Sequence, residues 1–285
     1  MKKVKKLKAF DMILYIVMSW LGFSTLIPVL KVVAEALSDP RYVVLGDVGI
    51  VPKGFTLDTV LFVLQRSEFL NSFKVTVITT IAGTLLSMVL TVLAAYPLSK
   101  PDLRGRKFFL YIFVFIMLFH AGMVPKYLLF RSLKLINTIW ALIFSSAFSV
   151  FNLFIVKNYF EGLPESVEEA AKMDGASNTK TLLSVVLPMS SPVLATVTLF
   201  YGVGYWNSYF SGIMYITDPK LKSLQQYLYD LIKMTSATDM SATDAEALAT
   251  LSGDAVRSAT ILVSTVPILI LYPYLQKYFV KGSFL

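Results

Sequence analysis

The chain has 285 residues, of which 56% are hydrophobic and 15% charged, with a formal net charge of +8. Soluble globules carry about a quarter charged residues, so this composition and a mean hydropathy of +0.67 point to lipid as the main solvent. The absence of cysteine excludes disulfides and thiolate metal sites, and a single histidine, His120, nearly excludes histidine triads and multi-histidine metal centres.

Lys2, Lys3, Lys5, Lys6 and Lys8 open the chain and precede a charge-free run between Asp11 and Lys31. Further charge-free runs lie between Lys74 and Lys100, Lys107 and Lys126, Lys134 and Lys157, Lys180 and Asp218, and Arg257 and Lys277. Charge is costly in hydrocarbon, and each run holds the roughly 17–25 residues a helix needs to cross about 30 Å. The fifth run is longer than one crossing, so part of it lies outside the bilayer. Small residues interleaved with Leu, Ile and Val over residues 78–95 suit close helix packing. The fold expected is all-α, a single polytopic membrane domain over residues 1–285 with about six transmembrane helices.

The basic N-terminus and the turn carrying Lys100, Arg104, Arg106 and Lys107 place those segments in the cytoplasm, against the weaker bias of Lys126, Arg131 and Lys134. An even number of crossings puts both termini, and residues 157–184, on the cytoplasmic side. The positive balance therefore reads as lipid-facing cytoplasmic charge, not as a nucleic-acid surface. Ala34-Glu35-Ala36 after an apolar stretch is similar to a signal-peptide cleavage site, but the stretch exceeds the usual core of roughly 7–15 residues.

Residues 161–188 read EGLPESVEEAAKMDGASNTKTLLSVVLP. Pro164 suits a first helical turn, and Glu165, Glu168 and Glu169 favour the positive end of the helix dipole. Ala170 and Ala171 favour helix, and Gly175 fits the left-handed position after a helix end. Ser177 can cap a second helix over residues 178–187, which Pro188 interrupts. The pattern predicts two short helices joined by a tight turn. A small-residue surface helix of this kind suits docking in a partner's groove; an ordinary solvated connection between spans is the plainer alternative.

Glu169-Ala170-Ala171, then Gly175, then Val185-Val186-Leu187-Pro188 resembles the "EAA" loop of binding-protein-dependent ABC importer permeases. Asp174-Gly175-Ala176, Trp206-Asn207 and the tail from Tyr272 to Gly282 are similar to the carbohydrate, maltose-type branch, in particular its second permease subunit. The resemblance implies a type I importer permease of the bacterial cytoplasmic membrane. Its implied partners are a second permease subunit, two ABC ATPase subunits that bind ATP and magnesium, an extracellular or lipid-anchored solute-binding protein, and an oligosaccharide as cargo. It implies no cofactor and no catalysis in this chain, which has no GxxxxGK[ST] phosphate loop. The ATPase-docking residues it points to are Glu165, Glu168, Glu169, Ala170, Ala171, Asp174, Gly175, Ala176, Leu187 and Pro188.

Within the fifth run, Phe200, Gly204, Asn207 and Ser211 are spaced to share one helical face, beside a stripe of Tyr201, Tyr205 and Tyr209. A membrane amide needs a partner, so Asn207 is expected to face the bundle or a water-filled path. With Trp206, these residues are candidates for a sugar path; packing and interfacial anchoring are the equal alternative. His120 reads as an interfacial hydrogen-bonder. The loop over residues 217–257, with Gln225, Gln226 and Tyr227 and a polar stretch over 235–244, reads either as a binding-protein contact or as a plain connection. A non-sugar cargo stays open. An ion-coupled carrier is disfavoured because neither intramembrane acids nor broken-helix repeats are evident.

Overall fold

The structure is a computed structural model that describes residues 9–119, 121–236 and 253–282. His120 and most of the polar stretch over 235–244 lie outside the described residues. The described residues contain helices and no strands. Two compact units divide the chain: residues 1–66 with 230–266, and residues 67–229 with 267–285.

The first unit begins with helix α1, Ala9–Ala36, whose 28 residues reach about 42 Å, enough to cross hydrocarbon. Phe10 is 72% and Trp20 68% exposed, as expected of a helix whose apolar side chains meet lipid rather than protein. At its far end Ala34 packs with Val43, Val48 and Ala255, and Glu35 accepts a hydrogen bond from Ser258 Oγ at 2.8 Å. Ser38 Oγ donates to Ala34 O at 2.6 Å and accepts from Lys53 N at 3.0 Å, folding the following loop back on the helix end. In that loop, hydrogen bonds from Arg41 hold the Asp39 carboxyl below the ordinary carboxylate range.

The second unit is organised on helix α2, Ser67–Ser99. Gly83, Ser87, Thr91, Ala95 and Ser99 repeat at four-residue spacing and are all buried. This small-residue stripe lets other backbones approach without any hydrophobic force between helices, which lipid removes. Helix α3, Arg106–Leu118, is followed by α4, Met123–Ser132, at an angle of 113°. Then come α5, Ile139–Phe144, and α6, Val150–Glu161. Helix α7, Glu165–Met173, and α8, Asn178–Thr181, lead through a π-helical turn, Leu182–Val186, into Leu187–Met189. Helix α9, Ser191–Trp206, departs at 84° and is followed by α10, Phe210–Tyr215, and α11, Leu224–Ser236. Helix α12, Gly253–Gly282, closes the described chain and carries the backbone of the Tyr272–Gly282 motif.

Helices α6 and α9 pack along the stripe on α2, around Leu153, Val156, Phe160, Val186, Val193 and Val197. Among the described residues three helices are long and apolar enough to cross a membrane, or up to five if each bent pair is one crossing. The fourth apolar run is divided between α5 and α6 by a non-helical connection over residues 145–149. No glycine or proline marks the break. Serines do it: Ser145 Oγ donates back to Leu142 O at 2.9 Å, and Ser149 caps α6, its Oγ accepting from Asn152 N at 3.3 Å.

Candidate functional site

Two features of the second unit carry candidate function: the 161–188 segment at one end of the bundle and a cleft within it. At the end of the bundle, α7 begins after Pro164, which stands at the N-cap with extended backbone rather than in the first turn. Gly175 has φ +76°, the left-handed conformation expected at the helix end, and Ser177 Oγ accepts from Lys180 N at 3.3 Å as the expected cap.

Pro188 does not end the second helix. The helical path continues through Met189 and bends at Ser190. Proline has no N–H, and its ring crowds the carbonyl four residues before it. The preceding turn widens to a π register, with Leu187 N donating to Leu182 O, and this accommodates the ring.

Helix α7 has two unlike faces. Glu168 is buried and paired with Lys100, whose ammonium also stands 4.8 Å from the Tyr96 ring centroid. At the end of α6, Glu161 pairs with Arg106 and, at 2.6 Å, with Lys157, while Arg106 Nε donates to Leu98 O at 2.9 Å. These ion pairs fasten both ends of the α6–α7 connection to the α2–α3 turn. The opposite face presents Ser166, Glu169, Ala170 and Met173 to the surroundings. Met173 is 88% exposed, on a polar helix where nothing in its own fold covers it. Glu165, Asp174 and Gly175 are exposed beside it, and Ala171, Ala176 and Leu187 are half-buried. Glu168, expected among the docking carboxylates, instead turns its side chain inward onto Lys100. Met173 carries no signal in the sequence and is marked as a surface anchor only by its exposure.

The residues of the fifth run separate into three groups. Helix α9 ends at Trp206 with Asn207 as its C-cap, so Ser211, on α10, and Tyr209 do not continue its faces. Asn207 is exposed rather than buried, and its Nδ2 donates to Val203 O of its own helix at 3.0 Å. Tyr209 is exposed and lies 6.0 Å from Tyr229, ring to ring. Tyr201 and Tyr205 are buried fasteners: Tyr201 Oη lies 2.8 Å from Thr91 Oγ1 and accepts from Ser149 N, and Tyr205 Oη donates to Ile143 O at 2.8 Å.

Phe200, Gly204 and Tyr205 do line a common space, a cleft of about 420 Å³ shared with Ser146, Ser149 and Asn152. These last three were not singled out in the sequence, because they sit in an apolar run that reads as one unbroken helix. Trp206 borders a separate apolar cleft of about 350 Å³ with Thr84, Leu85, Gly202 and Val203. At the opposite end of the bundle from α7, Asn137 adopts φ +59° and accepts from Thr217 N at 2.6 Å and Asp218 N at 3.1 Å. Asn71 Nδ2 donates to Lys220 O at 2.6 Å, so the described part of the 217–257 loop is tied down where it leaves α10.

A lipid-exposed helical bundle, an open cleft on its side and a clamped helix with a free face at its end define a polytopic membrane permease. The chain matches the family "Binding-protein-dependent transport system inner membrane component" over residues 1–284, and it belongs to that family. It is 38% identical to the protein LplC of Bacillus subtilis (strain 168) over 99% of this chain and 95% of that one. It is 35% identical to the polygalacturonan/rhamnogalacturonan transport system permease protein YtcP of the same organism, over 98% of each. Among solved structures, a chain from a bacterial ABC transporter involved in the import of the acidic polysaccharide alginate superposes with a TM-score of 0.89, at 33% identity, covering 97% of this chain and 100% of that one. The chain is thus an importer permease.

Proposed function

We propose that this chain forms half of the pathway of an ATP-driven oligosaccharide importer, paired with a second permease subunit, and that α7 docks a partner ATPase. The observation that supports docking most is the division of α7 into a clamped face, Glu168 on Lys100, and a free face with Met173 88% exposed. A helix held this way passes a push from its outer face to the bundle as a rigid body instead of bending. ATP and magnesium are bound by the two ATPase subunits, and a solute-binding protein delivers cargo from outside. The end bearing Lys100, Arg104, Arg106 and Lys107 faces the cytoplasm, in keeping with the preference of basic residues for that side. A saccharide cargo is supported by the names of the similar proteins, polygalacturonan/rhamnogalacturonan for one and alginate for another.

The test is co-purification of the ATPase with variants of the free face. Ala170→Arg and Met173→Glu are expected to lower the recovered ATPase about tenfold, the scale of one lost anchor in a small interface, while the permease remains folded. Full recovery with both variants would refute the docking role.

A further inference from the structure

We propose that the apolar cleft beside Trp206 holds one acyl chain of a phospholipid, whose ester carbonyl accepts a hydrogen bond from the Trp206 indole. The site does not rest on the importer reading, and it lies wholly within the second unit. Helix α2 lends it Thr80, Thr84 and Leu85, α9 lends Gly202 and Trp206, and α12 closes it with Ile268 around a space of about 350 Å³. Leu85 and Val203 at its rim are exposed, so the space opens sideways, where lipid lies. Gly202 keeps it open: a Cβ there meets nothing closer than Thr84 Oγ1 at 3.8 Å.

The second observation is chemical. Trp206 is 7% and Thr84 9% exposed, yet neither the Trp206 Nε1–H nor the Thr84 hydroxyl has a hydrogen-bond partner among the described residues, and the Thr80 hydroxyl has none either. An unpaired buried donor is costly, and hydrocarbon supplies no water to pair it. The indole donates and does not accept, so its partner is an acceptor. A helix of another subunit offers none, because its carbonyls are bonded within their own segment. A phospholipid ester offers a free carbonyl beside a long apolar chain. Size gives the same answer. Thr198 and Trp206 both line the cleft and stand eight residues apart on α9, or about 12 Å. A volume of about 350 Å³ over that length leaves a cross-section of about 30 Å². A helix about 10 Å across needs about 80 Å², so the space takes an extended chain and no helix.

Depth orients the lipid. Lys74 is exposed and marks one end of the charge-free stretch of α2, and the Trp206 ring lies 6.0 Å from the ring of its neighbour Phe73. Trp206 thus stands near the hydrocarbon edge, the level at which indoles settle and lipid headgroups begin. Thr80 and Thr84 lie about 9 and 15 Å further in along α2, at the depth of acyl chains. The leaflet is the one away from Lys100, the outer leaflet in the orientation proposed above.

The experiment uses the assembled importer in proteoliposomes containing a phosphatidylcholine with a photoactivatable diazirine midway along one acyl chain, and maps the labelled peptides by mass spectrometry. Labelling of residues 80–85 and 198–203 is expected to exceed that of the exposed faces of α1 and α3. It is expected to fall about tenfold in Gly202→Leu, whose side chain fills the cleft, while the label on α1 and α3 stays unchanged. Leu85→Trp, at the exposed rim, is expected to act the same way and carries the test if Gly202→Leu does not assemble. The ether-linked analogue, which lacks the carbonyl, is expected to label the cleft about fivefold less than the ester, the scale of one neutral hydrogen bond, and Trp206→Phe to erase that difference. Cleft labelling no higher than on α1 and α3, or unchanged in both blocking variants, would mean surrounding lipid only and would overturn the site. So would the absence of label with residues 80–85 crosslinked instead to the second permease subunit. Equal labelling by ester and ether lipid in the wild-type importer would overturn the role given to Trp206.

Discussion

A Cβ at Gly83 would meet the Tyr205 ring at 2.5 Å, and the same ring's hydroxyl reaches Ile143 O and Ser87 on either side. Gly83 is therefore a place on α2 where the Tyr205 ring of α9 leaves no room for a side chain. Gly83→Val is expected to lower stability by about 1–3 kcal/mol through overpacking, read as a fall in melting temperature in detergent. An unchanged melting temperature would show that the ring has room to move. The small residues of α2 were visible in the sequence, and so were the tyrosines of α9. What joined them was not: a stripe at four-residue spacing says that something approaches closely, not which aromatic it receives. Asn152 was invisible for a related reason, since one amide among Phe, Leu and Ile reads as a tolerated polar residue until the break beside it is known.

At the scale of elements, the 161–188 segment was the most legible part of the chain. Its capping serine, left-handed glycine and helix-forming alanines are local signals, and local signals survive folding unchanged. The Lys100–Glu168 pair was not legible, because it links positions far apart in sequence. Lys100 is 30% and the Glu168 side chain 10% exposed, between a surface pair and a buried one. A double-mutant cycle of Lys100→Ala and Glu168→Ala in melting temperature is expected to show a coupling of about 1–3 kcal/mol, and exchange of the two residues to recover part of it. Zero coupling would mean that α7 is held by packing alone. The breaks at Ser145–Ser149 and after Trp206 carry no proline and no glycine, so the charge-free runs concealed them. Pro188 misled in the other direction: a π turn absorbed it, and the chain bent two residues later.

Across the whole molecule, one composition serves two surroundings. Apolar side chains of α1 remain uncovered where lipid solvates them, while polar side chains gather at the cleft, at the clamped loop and along α2. The class of fold was readable from charge-free runs alone, whereas the continuity of each crossing depended on serine caps and inter-helix bonds that have no sequence signature. In the function proposed, α7 and the cleft act together: ATP hydrolysed by a partner docked on α7 drives a saccharide past the cleft. The most direct measurement is saccharide uptake into proteoliposomes holding the assembled importer, with binding protein outside and ATP inside. Uptake that requires both ATP and binding protein, and falls about tenfold or more in Met173→Glu, is the predicted result. Uptake that continues without ATP, or follows a proton gradient instead, would contradict it.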